Sequence, residues 1–261
     1  MFFKKKSIEL NCYTSYNHVY DMFKVESAKK HIPDWFKELP STFDYQASIV
    51  PPSTVKTCGG IASFFRNGFI IPLWTDAKMG YATVSNGYTN TVQPVTQFSD
   101  QTTKGQLHDQ KAMGEEFMPS NTYAHFKIFS PWVFECSEDI DWSWTQPTYN
   151  FKYPDKLTVL PGILEFKYNS NVFINCSIRK LDENKTPTLL ELEAGQPLVH
   201  LLPITDREVV VRNHLVTQEE WNRIYQKNNR VFFFNNHNKK RNLLKKQEAS
   251  EKSCPFGFKK K

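Results

Sequence analysis

The chain has 261 residues, a net charge of +6 and 15% aromatic residues. That is length enough for one large domain with decorations, and more rings than a disordered chain carries. No apolar run reaches the roughly 18 residues of a membrane helix. The start, MFFKKKSIELNCY, lacks an apolar h-region, so neither a secretory signal nor a membrane partner is expected and the setting reads as cytosolic.

Short segments rich in Val, Ile, Phe and Tyr recur along the chain, separated by Pro, Gly, Asn and Asp. Strands are expected at 7–14, 69–75, 80–84, 123–129, 132–135, 141–145, 157–164, 171–178, 188–192 and 197–204. Their regular spacing predicts a mainly β fold, a β-sandwich, jelly-roll or β-clip-like body, not βαβ units. Trp142 and Trp144 should share one strand face. Between the early strands, KKHIPDWFKELP is interrupted by Pro33 and predicts a short turn with Trp35, Phe36 and Leu39 as its apolar side. Cys58–Gly60 reads as a tight turn exposing a thiol. The stretch 86–121, poor in apolar residues, reads as one long polar excursion. Near the end, Thr217-Gln-Glu-Glu220 is a capping box that starts a helix, with Trp221, Ile224 and Tyr225 as a core-packing stripe. The expected organisation is a β-rich domain over 1–212, a helical segment over 213–238 and a loose basic tail over 239–261.

Five single cysteines (Cys12, Cys58, Cys136, Cys176, Cys254) form no C-x-x-C pair, which argues against a disulfide framework or a structural zinc site. His18, His31, His108, His125, His200, His214 and His237 are dispersed, so neither a metal nor another cofactor is expected. The common phosphate, dinucleotide, zincin and serine-hydrolase signatures do not occur. Basic residues concentrate at Lys4–Lys6 and in KKRNLLKKQEASEKSCPFGFKKK, where Lys239, Lys240, Arg241, Lys245 and Lys246 are candidates for weak contact with nucleic acid or an acidic partner.

Five blocks carry a resemblance: IPDWFKELP, TCGGIASFFRNGFIIPLWTD, HFKIFSPW, VLPGILEFKY and AGQPLVHLLPITDRE. In this order they resemble a family of uncharacterised tailed-bacteriophage proteins, which implies a viral origin, a place in the host cytoplasm or the virion, and no established activity. The partners this implies are virion proteins or further copies of the chain. The later half also looks like the dUTPase and dCTP-deaminase group, a β-clip or distorted jelly roll. WTQPTYN stands at its phosphate loop with Pro147 matched, GILEFKY at its catalytic strand, and GQPLVHLL at its later turn and strand. Thr148 and Tyr149 replace the Arg and Ser that hold phosphate. Glu165 stands for the water-orienting Asp and Tyr168 for the sugar-stacking Tyr, but Lys167 replaces the second Asp and His200 the glutamine. Most phosphate and metal donors are therefore replaced. Pro147, Tyr149, Glu165, Lys167, Tyr168 and His200 remain candidate ligand contacts. No residue is assigned a catalytic role. The expected function is a non-catalytic virion, assembly or host-interacting protein, against the alternative of an enzyme acting on a nucleotide or small molecule.

Overall fold

A computed structural model describes residues 6–43, 50–85, 90–100, 103, 105–108, 114–119, 122–150, 156–168, 172–179 and 189–229, with 242, 243, 245–247, 249 and 250 of the tail. The protein is mainly β, with several antiparallel sheets and a helix toward the C-terminus.

The described chain begins with β1 (Ile8–Thr14), α1 (Asn17–Met22), the short β2 (Glu26–Ser27) and a 3₁₀ turn over Ala28–His31. Then come α2 (Asp34–Glu38), a second 3₁₀ turn (Val55–Thr57), α3 (Gly59–Arg66), β3 (Phe69–Pro72), β4 (Ala77–Ser85), β5 (Asn90–Phe98) and β6 (Gly105–His108). The central strands are β7 (Tyr123–Phe129), β8 (Val133–Cys136) and β9 (Trp142–Thr145), followed after a 3₁₀ turn (Thr148–Asn150) by β10 (Leu157–Val159) and β11 (Gly162–Leu164). The last elements are β12 (Phe173–Arg179), β13 (Leu189–Leu192), β14 (Pro197–Pro203), β15 (Val209–Leu215) and α4 (Gln218–Asn229).

These strands form four sheets, ordered β15-β1-β8, β10-β12-β7-β6, β11-β9-β14-β3-β2 and β13-β4-β5. All four feed one core. Alternate residues of β1 (Ile8, Leu10, Cys12), β4 (Ala77, Met79, Tyr81), β7 (Ala124, Phe126, Ile128), β9 (Trp142, Trp144) and β12 (Ile174, Cys176, Ile178) are buried in it. This is the period-2 burial expected of strands with one face on a core. Cys12, Cys136 and Cys176 sit there as free thiols, and burial pushes the Cys176 thiol up to about 12. Cys58 is exposed, and Cys254 lies outside the described residues.

Four expectations need correction. The stretch 86–121 is not a single loop. Asn90–Phe98 pairs with β4 from Ala77↔Phe98 to Ser85↔Asn90, and Gly105–His108 pairs with β7. The sequence NTVQPVTQF is polar because β5 is an edge strand among the described residues, where Thr and Val supply β propensity and Pro94 is tolerated. The region 157–164 is not one strand either. Pro161 divides it, sending β10 to β12 and β11 to β9. Third, β15 crosses position 212. It runs parallel to β1 in continuous register from Ile8↔Val209 to Thr14↔Leu215. Cross-strand bonds lock this pair: Arg212 donates to Glu9 at 2.9 Å, and His214 Nε2 lies 2.8 Å from Asn11 Oδ1. Finally, Cys58–Gly60 does not close a tight turn. Cys58 is the N-cap position of α3, and Gly59 and Gly60 are its first turn, because burying Phe65 against α2 outweighs the poor helix propensity of two glycines.

Candidate functional site

The six residues singled out by the nucleotide-hydrolase resemblance divide between the two ends of β9. His200 lies opposite Thr145 at one end, and Leu164 opposite Trp142 at the other, just before Glu165. Trp142 and Thr145 are three residue steps apart, about 10 Å of extended chain. The two groups flank the strand instead of converging.

The first group is Pro147, Tyr149 and His200. Pro147 is buried, and Tyr149 follows it in the 3₁₀ turn, where its carbonyl accepts the Trp35 indole N–H at 3.1 Å. Its ring meets Phe64 at 5.6 Å and Phe65 at 5.3 Å, so α2 and α3 cover this corner with aromatic surface. His200 is 1% exposed, with Phe64 edge-on at 4.4 Å. The Asn67 carbonyl, 2.7 Å from Nε2, accepts a hydrogen bond from the Nε2–H and so fixes the tautomer. The side chain is packed in the core, with Nδ1 buried and without a hydrogen-bond partner among the described residues.

Burial holds the His200 imidazole below its usual 6.5, against an opposing pull from the Asn67 carbonyl. Burial lowers His31 likewise; Glu26 works against it and Lys30 with it. An unfolded chain therefore binds more protons than the folded one just below pH 6.5. Stability from these groups is complete above that value and declines as pH falls through the window toward the folded-state values. Thermal melts across this window should show the decline. His200→Gln, which retains a donor for Asn67, should flatten it in part, leaving the contribution of His31. An unchanged slope in the variant would contradict the assignment.

The second group follows β11. Only Gly162–Leu164 is strand; Phe166, Lys167 and Tyr168 form a turn. Phe166 is 1% exposed, stacked on Phe134 at 5.0 Å and packed on Trp142 at 5.5 Å. Tyr168 is buried, with the Lys167 ammonium 5.4 Å from its ring centroid and that of Lys245 at 6.0 Å. Lys245 also pairs with Asp139 at 2.8 Å. The tail thus returns to the body at this point, which its composition does not announce. Lys246 is exposed; Lys239, Lys240 and Arg241 lie outside the described residues. Both partners of the Lys245 pair are 36% exposed, so it should contribute less than about 1 kcal/mol. Deleting 239–261 is accordingly expected to move the melting temperature by only a few degrees. A drop of tens of degrees would make the tail part of the core.

The structure also builds a concavity that the sequence does not reveal. A cavity of about 370 Å³ opens where α1 and α4 meet the ends of β7 and β12. Trp74, Trp132, Trp221 and Tyr225 line it, with Tyr16 from the turn before α1. Trp221 and Tyr225 are only half-buried and stack on each other at 5.1 Å, while Ile224 alone of the expected stripe is buried. The helix is fixed by its cap, the Glu220 amide donating to the Thr217 hydroxyl at 3.2 Å, and by the Trp221 indole donating to the Pro131 carbonyl at 3.2 Å. Among the described lining residues Asp100 is the one ionisable carboxylate, its side chain 20% exposed. The Thr103 hydroxyl donates to it at 2.9 Å and accepts the Trp74 indole N–H at 2.8 Å. These residues come from segments more than 200 positions apart, so no spacing rule could gather them.

Among the described residues no group of three His, Cys, Asp or Glu side chains is placed to hold a metal ion, and no helix is long and apolar enough to cross a membrane. Comparison with protein-family models gives no match, and no curated protein matches the chain.

Proposed function

We propose that the chain is a non-catalytic, contact-making β protein of a tailed bacteriophage, serving as a virion or assembly component or acting on a host protein. The phage assignment rests on the five ordered sequence blocks. The non-catalytic reading rests on one observation: the residues a nucleotide hydrolase would need lie at opposite ends of β9, where Phe166, Tyr168 and His200 are engaged in packing. Hydrolysis of a diphosphate requires donors preorganised around one reacting centre, and a separation of about 10 Å along a strand leaves no such centre. The aromatic cavity favours recognition in their place, because rings bury much area at little entropic cost.

Purified intact particles, analysed by mass spectrometry beside the soluble lysate, test the assignment. The chain should be found in the particles at fixed copy number, or in the soluble fraction bound to an assembly or host protein. A free chain that turns over a nucleotide would overturn the reading.

A further inference from the structure

Among the described lining residues of the aromatic cavity two hydroxyls are committed, while the buried Trp132 indole N–H has no partner. Thr103 bridges the Trp74 indole and the Asp100 carboxylate. The Ser130 hydroxyl accepts the Trp132 amide at 3.1 Å. A sugar, which needs several hydroxyl partners, would find these two already bonded. An anion would meet Asp100. What the described lining residues offer is mainly π surface beside the mostly buried Asp100 carboxylate, in a protein whose net charge is +6. Aromatic faces attract a cation within about 6 Å of the ring centroid, and more strongly when it is desolvated. The volume lies near the lower end of small-molecule sites, roughly 300–1,000 Å³.

We propose that this cavity binds an organic ammonium group, quaternary or N-alkylated, with the Trp and Tyr rings around its methyl groups and Asp100 as the counter-charge. The inference rests on the binding-protein reading and supplies its ligand class. The stacked Trp221–Tyr225 pair is held in place by the bond to Pro131, so the wall contributed by α4 is formed before the ligand arrives. Two basic side chains adjoin the lining: the exposed His18, whose Nε2 is 3.9 Å from Asp100, and Lys127, whose ammonium lies 4.2 Å from the ring centroid of Phe173.

Tetramethylammonium and choline should be titrated into the full chain at constant ionic strength, with binding read by tryptophan fluorescence and calorimetry. The neutral isostere 3,3-dimethylbutan-1-ol is the control for choline. Dissociation constants of about 1 mM or tighter are expected for the cations, with fluorescence quenching and no saturable response to the alcohol. Asp100→Asn, which keeps an acceptor for Thr103, should weaken choline by about tenfold. Tyr225→Leu, a helix-compatible change, should weaken it severalfold while the melting curve stays cooperative. Equal binding of the alcohol, or affinity unchanged in Asp100→Asn, would overturn the cation assignment, as would the absence of cation binding at about 10 mM. The recovered choline is then weighed by mass spectrometry. Chemical conversion of bound choline would sink the non-catalytic reading and leave the site standing, whereas no binding would sink the site alone.

Discussion

Replacing Phe166 by alanine is expected to destabilise the protein by about 3–5 kcal/mol. The residue belongs to the GILEFKY segment, yet its ring is 1% exposed and wedged between Phe134 and Trp142. Its carbonyl also accepts the Cys136 amide at 3.2 Å, tying the turn to β8. Truncation removes the transfer energy of a full aromatic side chain and leaves a cavity whose walls are two large rings on separate strands, which cannot collapse inward without breaking their own pairing. For a body of this size the melting temperature should fall by the order of 10 °C. A near-neutral variant would mean that this segment does not pack as described, and would return it to the candidates for ligand contact.

Gly68→Ala should cost a comparable amount, about 3 kcal/mol or more. Gly68 sits between α3 and β3 at φ +76°, a region where an L side chain is strained. A Cβ there would collide with the Leu201 carbonyl, and would lie 2.9 Å from Leu202 Cδ2 and 3.1 Å from His200 Nε2. Leu201 cannot retreat, because β14 is paired on both sides, with Phe69 of β3 and Trp144 of β9. The Gly68 carbonyl is fixed as well, accepting the Ala28 amide at 3.0 Å. Gly59→Ala is the matched control. Nothing lies within 4 Å of its added Cβ, so it should be neutral or stabilise α3 by up to about 1 kcal/mol. Chemical denaturation of the two variants side by side separates backbone geometry from helix propensity, and equal effects would contradict the placement of Gly68.

Where local chemistry alone determines an element, the sequence is readable. Tyr123–Phe129 is found with both bounds because apolar alternation is bracketed by Pro119 and by Ser130–Pro131. Trp142 and Trp144 share the buried face of β9, as their spacing requires. The cap at Thr217 starts α4, although the Glu220 carboxylate reaches Arg223 at 3.4 Å. What remains hidden depends on distant partners. Asn90–Phe98 carries few apolar residues because an edge strand needs few, and Val209–Leu215 becomes a strand by pairing with β1, at the far end of the described chain.

The candidate site follows the same division. Motif order brings Pro147, Glu165 and His200 together on paper, since matching in sequence carries no information about which end of β9 each residue reaches. The stripe on α4 reads as core because Trp, Ile and Tyr at helical spacing usually are. Only the packing of α4 beside Pro131 and Trp132 turns two of those rings toward a cavity.

The most direct test of the central claim is steady-state turnover of dUTP and dCTP by the wild type beside Glu165→Gln, with folding of both checked by circular dichroism. Background rates are expected from both proteins, because losing even one preorganised donor typically costs about 3 kcal/mol of transition-state stabilisation, and here the needed groups are split along β9. Turnover by the wild type that vanishes in a folded Glu165→Gln would contradict this expectation, and would mean that an active site is built around that carboxylate.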